Sequence, residues 1–203
     1  MLTTLIPVTR DWTHTAVVDA IAASDIPRER LILVLDAPGC EAWERDLSAI
    51  GFDVETHRTE SDGPPSERLE RRRSHAKMRE FTLPLVGDGP LLTLDDDTIV
   101  PLDVYARLSA AGPHATGVQV SRWGSPKCGV YRGRTALAYR AGGIEPIDRC
   151  GHYCLLTTGA MYRVTAVHAP SECYMQPIPG LAVDWGCVCG HLTEDGVLWP
   201  STV

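Results

Sequence analysis

The chain has 203 residues, 44% hydrophobic and 22% charged, which is enough for one globular domain with a real core. A formal net charge of -7 argues against a surface built for nucleic acid, and no apolar run approaches membrane-spanning length. The first seven residues are short and lack the basic start of a signal peptide, so a cytoplasmic protein with no membrane partner is expected.

Residues 2–8 form an apolar, β-rich run that leads through Pro7-Val8-Thr9-Arg10 into a loop. Residues 13–24 have helical periodicity, with Val17, Val18, Ile21 and Ala22 on one side. Residues 31–35 are the clearest buried strand, and it ends at Asp36. A second helix is predicted over 41–50, closed by Gly51, and a third strand over 52–56. Strand and helix alternate through this half. That order predicts an α/β fold with a mostly parallel central sheet and helices on both faces.

After the loop at 61–65 comes a basic helix carrying Arg68, Arg71, Arg72, Arg73, Lys77 and Arg79. It reads either as a solvated face or as a set of cations, Arg73 and Lys77 among them, facing a diphosphate. A turn at 87–90 then leads into Leu91-Leu92-Thr93-Leu94, a buried strand, and directly into Asp95-Asp96-Asp97. A strand alternates its faces, so Asp95 and Asp97 are expected to project together while Asp96 points the other way. Carboxylates this close repel, and a divalent cation relieves that repulsion. The end of a sheet strand is also where open α/β sheets bind ligands. The stretch therefore reads as a metal site holding a phosphorylated substrate. The alternative is a solvated turn in which Asp97 or Thr98 caps the next segment.

Residues 101–111 are predicted as a helix, 115–120 as a strand, and 122–149 as a long irregular segment containing a hairpin. Residues 155–162 read as a strand running into a helix start, 170–179 as a loop, 183–192 as a short, partly apolar segment, and 197–199 as a last strand fragment. Seven cysteines are many for a cytosolic chain. Free buried thiols are the default reading. Cys150-Gly-His152-Tyr-Cys154 and Cys187-Val-Cys189-Gly-His191 approach ligand spacing, and one zinc site built from both clusters is the other reading.

Five separated features together resemble the GT-A-fold glycosyltransferases, nearest to glycosyltransferase family 2. They are the Pro7-to-Arg10 strand end, Asp36, the Asp95-Asp96-Asp97 run that looks like a D-x-D motif, Thr158-Gly159-Ala160-Met161-Tyr162-Arg163, and Asp184 with Trp185. The resemblance implies a single GT-A-like, Rossmann-like domain over 1–203, with a nucleotide-sugar half at 1–100 and an acceptor half at 101–203. It implies donor contacts from Pro7, Thr9, Arg10, Asp36, Arg73, Lys77, Asp95 and Asp96. Mn2+ or Mg2+ would be held by Asp95 and Asp97, with His191 as the nearest late histidine. Gly159, Ala160 and Trp185 would lie on the acceptor side, and Asp184 would be the base of an inverting transfer. The donor would be a nucleoside diphosphate sugar, with uridine the commonest base among relatives. The acceptor is left open among a saccharide, a protein side chain and a hydroxylated DNA base.

This chain departs from the family pattern in two places. Val183 stands before Asp184 where the family often has Glu, and the acceptor region is short. Three rival classes remain. A haloacid dehalogenase-type phosphohydrolase would use Asp95 as nucleophile and Asp97 as acid/base. A nucleotidyltransferase would need a glycine-rich loop that Pro7-to-Trp12 lacks. The third is a non-catalytic nucleotide-sugar-binding module.

Overall fold

The computed structural model describes residues 1–36, 40–59, 78, 80–120, 127–166 and 177–200. Its first strands are β1 (Thr3–Val8), β2 (Arg30–Leu35), β3 (Asp53–Arg58), β4 (Pro90–Leu94) and β5 (Thr98–Ile99). They are followed by β6 (Ala115–Gln119), β7 (Lys127–Arg132), β8 (Thr135–Ala138), β9 (Ile144–Pro146) and β10 (Arg149–Cys150). The last are β11 (Cys154–Thr158), β12 (Ala182–Thr193) and β13 (Gly196–Leu198). The described helices are α1 (His14–Ala23), α2 (Glu41–Ala49), α3 (Val104–Ala111) and α4 (Gly159–Ala166).

The central sheet runs β13-β12-β6-β11-β4-β1-β2-β3, with β5 and β9 also paired to β12. Strands β3, β2, β1 and β4 are mutually parallel, as are β6 and β12. Strand β11 runs antiparallel between β4 and β6. A separate three-stranded sheet, β10-β7-β8, holds the predicted hairpin.

Burial on both faces explains the continuous apolar strands. Leu31 to Leu35 are each at most 2% exposed. Successive residues alternate between two core layers. Ile6, Leu33 and Leu92 face a layer with Val17 and Ile21 of α1, Trp43 and Leu47 of α2, and Val104 and Leu108 of α3. Leu5, Ile32 and Leu91 face the other, with Tyr162 and Ala166 of α4 and Met78. The expected α/β architecture, with helices on both faces, is therefore present. Edge strand β3 is charged and partly exposed, which discourages further strand addition. Pro7 is tolerated in an inner strand because the β1–β4 ladder ends at Leu5–Thr93, before the ring is reached.

The segment predicted as short and partly apolar, 183–192, is a twelve-residue strand. Its early part pairs with β6 and β9 and its late part with β5 and β13. A bulge between Val183 and Val188 separates the two parts. Interruption by Asp184, Gly186, Gly190 and His191 hid this strand in the sequence.

Candidate functional site

Parallel strands β1, β2 and β4 end on one edge of the sheet, and Pro7, Thr9, Arg10, Asp36, Asp95 and Asp96 lie at or just beyond those strand ends. The chain turns immediately after β4, with the Thr98 amide donating to the Asp95 carbonyl at 3.1 Å. Asp95, Asp96 and Asp97 thus lie in a turn rather than on a strand, and strand alternation does not govern them. That corrects the expected pairing of Asp95 with Asp97 against Asp96, because Asp96 and Asp97 converge on a single cation.

That cation is Arg10. One Arg10 nitrogen bonds to Asp96 Oδ1 and lies 3.0 Å from Asp97 Oδ2. The Thr9 amide and hydroxyl donate to Asp96 Oδ2 at 2.6 Å and 3.0 Å. Asp96 and Asp97 are 3% and 4% exposed. Burial pushes the Asp96 carboxyl up to about 6; Arg10 pulls it down, Asp97 pushes it up, and the Thr9 donors pull it down. Burial lowers the pKa of Arg10, but Asp96, Asp97 and Asp95 together raise it above its ordinary value.

His191 approaches from β12. Its Nε2 lies 3.3 Å from the same Asp97 oxygen that Arg10 reaches, and its Nδ1 is 2.8 Å from the Val120 carbonyl. A carbonyl can only accept, so Nδ1 carries a proton. In a neutral ring Nε2 then presents a lone pair to a carboxylate oxygen. Two acceptors face each other stably only across a proton or a cation. Asp97 and His191 are donors of the kind a divalent ion takes, but among the described residues the three ligating side chains that lie within reach of one ion are Cys154, Cys187 and Cys189, not those of the aspartate turn.

The rest of the sheet holds this turn in place. The Asp95 amide donates to the Tyr153 carbonyl at 3.2 Å, and the Leu192 amide to the Asp97 carbonyl at 2.8 Å. Gln119 donates to the Thr98 hydroxyl at 2.9 Å. Asp36 ends β2 nearby; its amide bonds the Val8 carbonyl at 2.8 Å and its carboxylate accepts from Thr59. Gln119, Val120 and Tyr153 were not singled out from the sequence. They act by position in the sheet, which composition does not reveal. Arg73 and Lys77 lie outside the described residues.

No protein-family model matches the sequence, and no curated protein matches it. Solved structures do resemble its fold. A197 from STIV aligns with TM-score 0.52 at 13% identity, over 98% of this chain and 90% of that one. S. aureus TarS 1-349, a GT-A glycosyltransferase, aligns with TM-score 0.51 at 9% identity, over 90% of this chain and 57% of its own. The same TarS region in complex with UDP-GlcNAc aligns with TM-score 0.52 at 9% identity, over 90% of this chain and 55% of its own. The chain has a GT-A-like fold. It spans little more than half of the TarS chains it resembles.

Within this GT-A-like frame the expected acceptor-side residues do not join the aspartate turn. Thr158 pairs with Pro90, at the start of β4, because β11 is antiparallel to β4. Gly159 and Ala160 therefore sit at the opposite edge of the sheet from Asp95-Asp96-Asp97. There Gly159 packs on the backbone of Gly87, whose carbonyl oxygen would stand 1.7 Å from any added Cβ. Its glycine serves a close approach, not a ligand. Trp185 is 1% exposed, and its indole N–H donates to Glu145 at 3.0 Å. It anchors β12 to β9.

Asp184 occupies the β12 bulge, seven residues before His191, at roughly 15 Å along the strand once the bulge is discounted. It accepts the Gly186 amide at 2.8 Å and lies 3.6 Å from an Arg107 nitrogen on α3. These contacts tie β12 to α3 rather than to the aspartate turn.

Proposed function

We propose that this chain transfers a sugar from a nucleoside diphosphate sugar, uridine-linked in the first instance, to an acceptor hydroxyl. One observation carries the reading. Thr9, Arg10, Asp96, Asp97 and His191, drawn from both ends of the chain, converge at the ligand-binding edge of a GT-A-like sheet. The UDP-GlcNAc complex of a fold relative at TM-score 0.52 supports the choice of donor class.

In this reading Asp97 and His191, with Asp95, hold Mn2+ or Mg2+. Such an ion supplies Lewis-acid stabilisation of a departing diphosphate. Thr9 and Arg10 fix the Asp96 carboxylate, and that bracing sets the turn in which Asp97 stands. Asp36 lies where it can accept hydrogen bonds from a nucleotide base. Asp184, paired with Arg107, acts as a positioning residue on the α3 side. A phosphohydrolase would need Asp97 for proton transfer, yet Arg10 and His191 both engage it.

The contact of Arg10 with both carboxylates favours a second reading, in which this guanidinium itself faces the diphosphate and no divalent ion is needed. A thermal-shift panel of UDP, GDP, CDP and their sugars, each with Mn2+, Mg2+ or EDTA, separates the readings. Ligand at 100 times its Kd stabilises by about 2.7 kcal/mol. For a chain of this size that is a rise of roughly 5–10 °C. A shift lost in EDTA supports the metal reading. A shift that survives EDTA but not Arg10→Ala supports the second. No shift with any diphosphate removes both.

A further inference from the structure

Strand β6 lies between β11 and β12, and at Gly117 it carries no side chain. Side chains on strands two apart in a sheet are normally separated by roughly 9.5 Å. Here the gap over Gly117 is filled by sulfur. Cys154 of β11 reaches in from one side, Cys187 and Cys189 of β12 from the other, and the three sulfurs lie within 4.8 Å of one another. A Cβ on Gly117 would stand 3.0 Å from Cys187 Sγ and 3.1 Å from Cys189 Sγ. The β12 bulge is opposite this point, between Val183 and Val188, and it sets Cys187 against Gly117. Glycine and bulge together make one pocket for three thiols.

We propose that Cys154, Cys187 and Cys189 form a structural zinc site, separate from the aspartate turn. Three sulfurs about 2.3 Å from one zinc stand about 3.8–4.0 Å apart, so only small side-chain movements close the present cluster onto an ion. Thiolate suits zinc by softness, whereas Mn2+ and Mg2+ prefer the oxygens at Asp97. Each thiol that coordinates gives up its proton to solvent, and the dication cancels two of the three charges formed. The three cysteines are 0% exposed, which places metal uptake at folding. Among the described residues no fourth side chain joins the three.

The site also revises the pairing suggested by spacing. Cys150 belongs to the opposite core layer with Cys128, and His191 turns to Asp97. One cysteine from the first cluster and two from the second meet.

The test uses the full chain, purified reduced from zinc-supplemented medium and dialysed. Elemental analysis should find about one zinc per chain. Protein refolded with Co2+ in place of zinc should give a thiolate-to-cobalt charge-transfer absorption. Cys187→Ser and Cys154→Ser should lose that absorption, while Cys128→Ser and Asp97→Ala should keep it. The Asp97 variant separates this site from the proposed donor site, whose failure leaves the cobalt spectrum untouched. Wild-type protein with less than a tenth of an equivalent of zinc, or a Co2+ spectrum without thiolate absorption, overturns the proposal even if no variant folds. So does retention of the absorption in Cys187→Ser.

Discussion

Arg10 decides how the buried acids are tolerated. A buried carboxylate is costly unless paired, and Arg10 serves both Asp96 and Asp97. Arg10→Ala should destabilise the fold by about 3 kcal/mol in urea denaturation, because it leaves buried charge uncompensated. Arg10→Lys should recover part of that, since it restores charge without the fork. His191→Ala should abolish the metal-dependent part of any donor-induced thermal shift, and it should also lower the apo melting temperature, because it empties a buried position and frees the Val120 carbonyl. A donor shift identical to wild type would remove His191 from the site. For Asp184→Asn the two candidate roles differ sharply. A base predicts donor binding intact and transfer reduced at least about 100-fold. A strut to Arg107 predicts lower stability with transfer kinetics little changed.

Among the elements, those buried on both faces were legible from sequence. Strands β1, β2, β4, β6 and β11 fall within about two residues of their expected bounds, because a fully covered strand must be continuously apolar. Strands β8 and β9 are largely exposed, so nothing in their composition marks them as more than loop. The aspartate turn could be placed, but its geometry could not. The alternation rule stops where the strand stops, and the turn that follows Leu94 is closed by contacts from Tyr153, Leu192 and Gln119, which are distant in sequence. The separation of Gly159 and Ala160 from the aspartate turn was not legible for a different reason: the direction of β11 is a tertiary fact. Gly159→Ala should cost about 3 kcal/mol or more, since the clash is with backbone that cannot rotate away. A milder test concerns α3, whose first amides, at Tyr105 and Ala106, are bonded by the Asp25 carboxylate at 2.7 Å and 2.8 Å. Asp25→Ala should lower stability by about 1 kcal/mol, the usual worth of a helix cap supplied by a carboxylate.

For the molecule as a whole, residues 1–100 and 101–203 are joined through the sheet. Strand β11 of the second half pairs along β4 of the first, and β5 pairs with β12. A fragment of residues 1–100 should therefore remain unfolded by circular dichroism until the complementary fragment is added. Among the described residues no helix is long and apolar enough to cross a membrane. The topology also bears on the order of events at the ribosome. Strands β11 and β12 are made late, yet they occupy inner places in the sheet. Until they emerge, β4 has an unpaired edge and Asp97 has no histidine. Such long-range pairing slows folding and delays completion of the sheet until β12 has emerged. A nascent chain stopped before His191 thus carries every aspartate of the site and cannot close it, so premature termination yields no partly competent product.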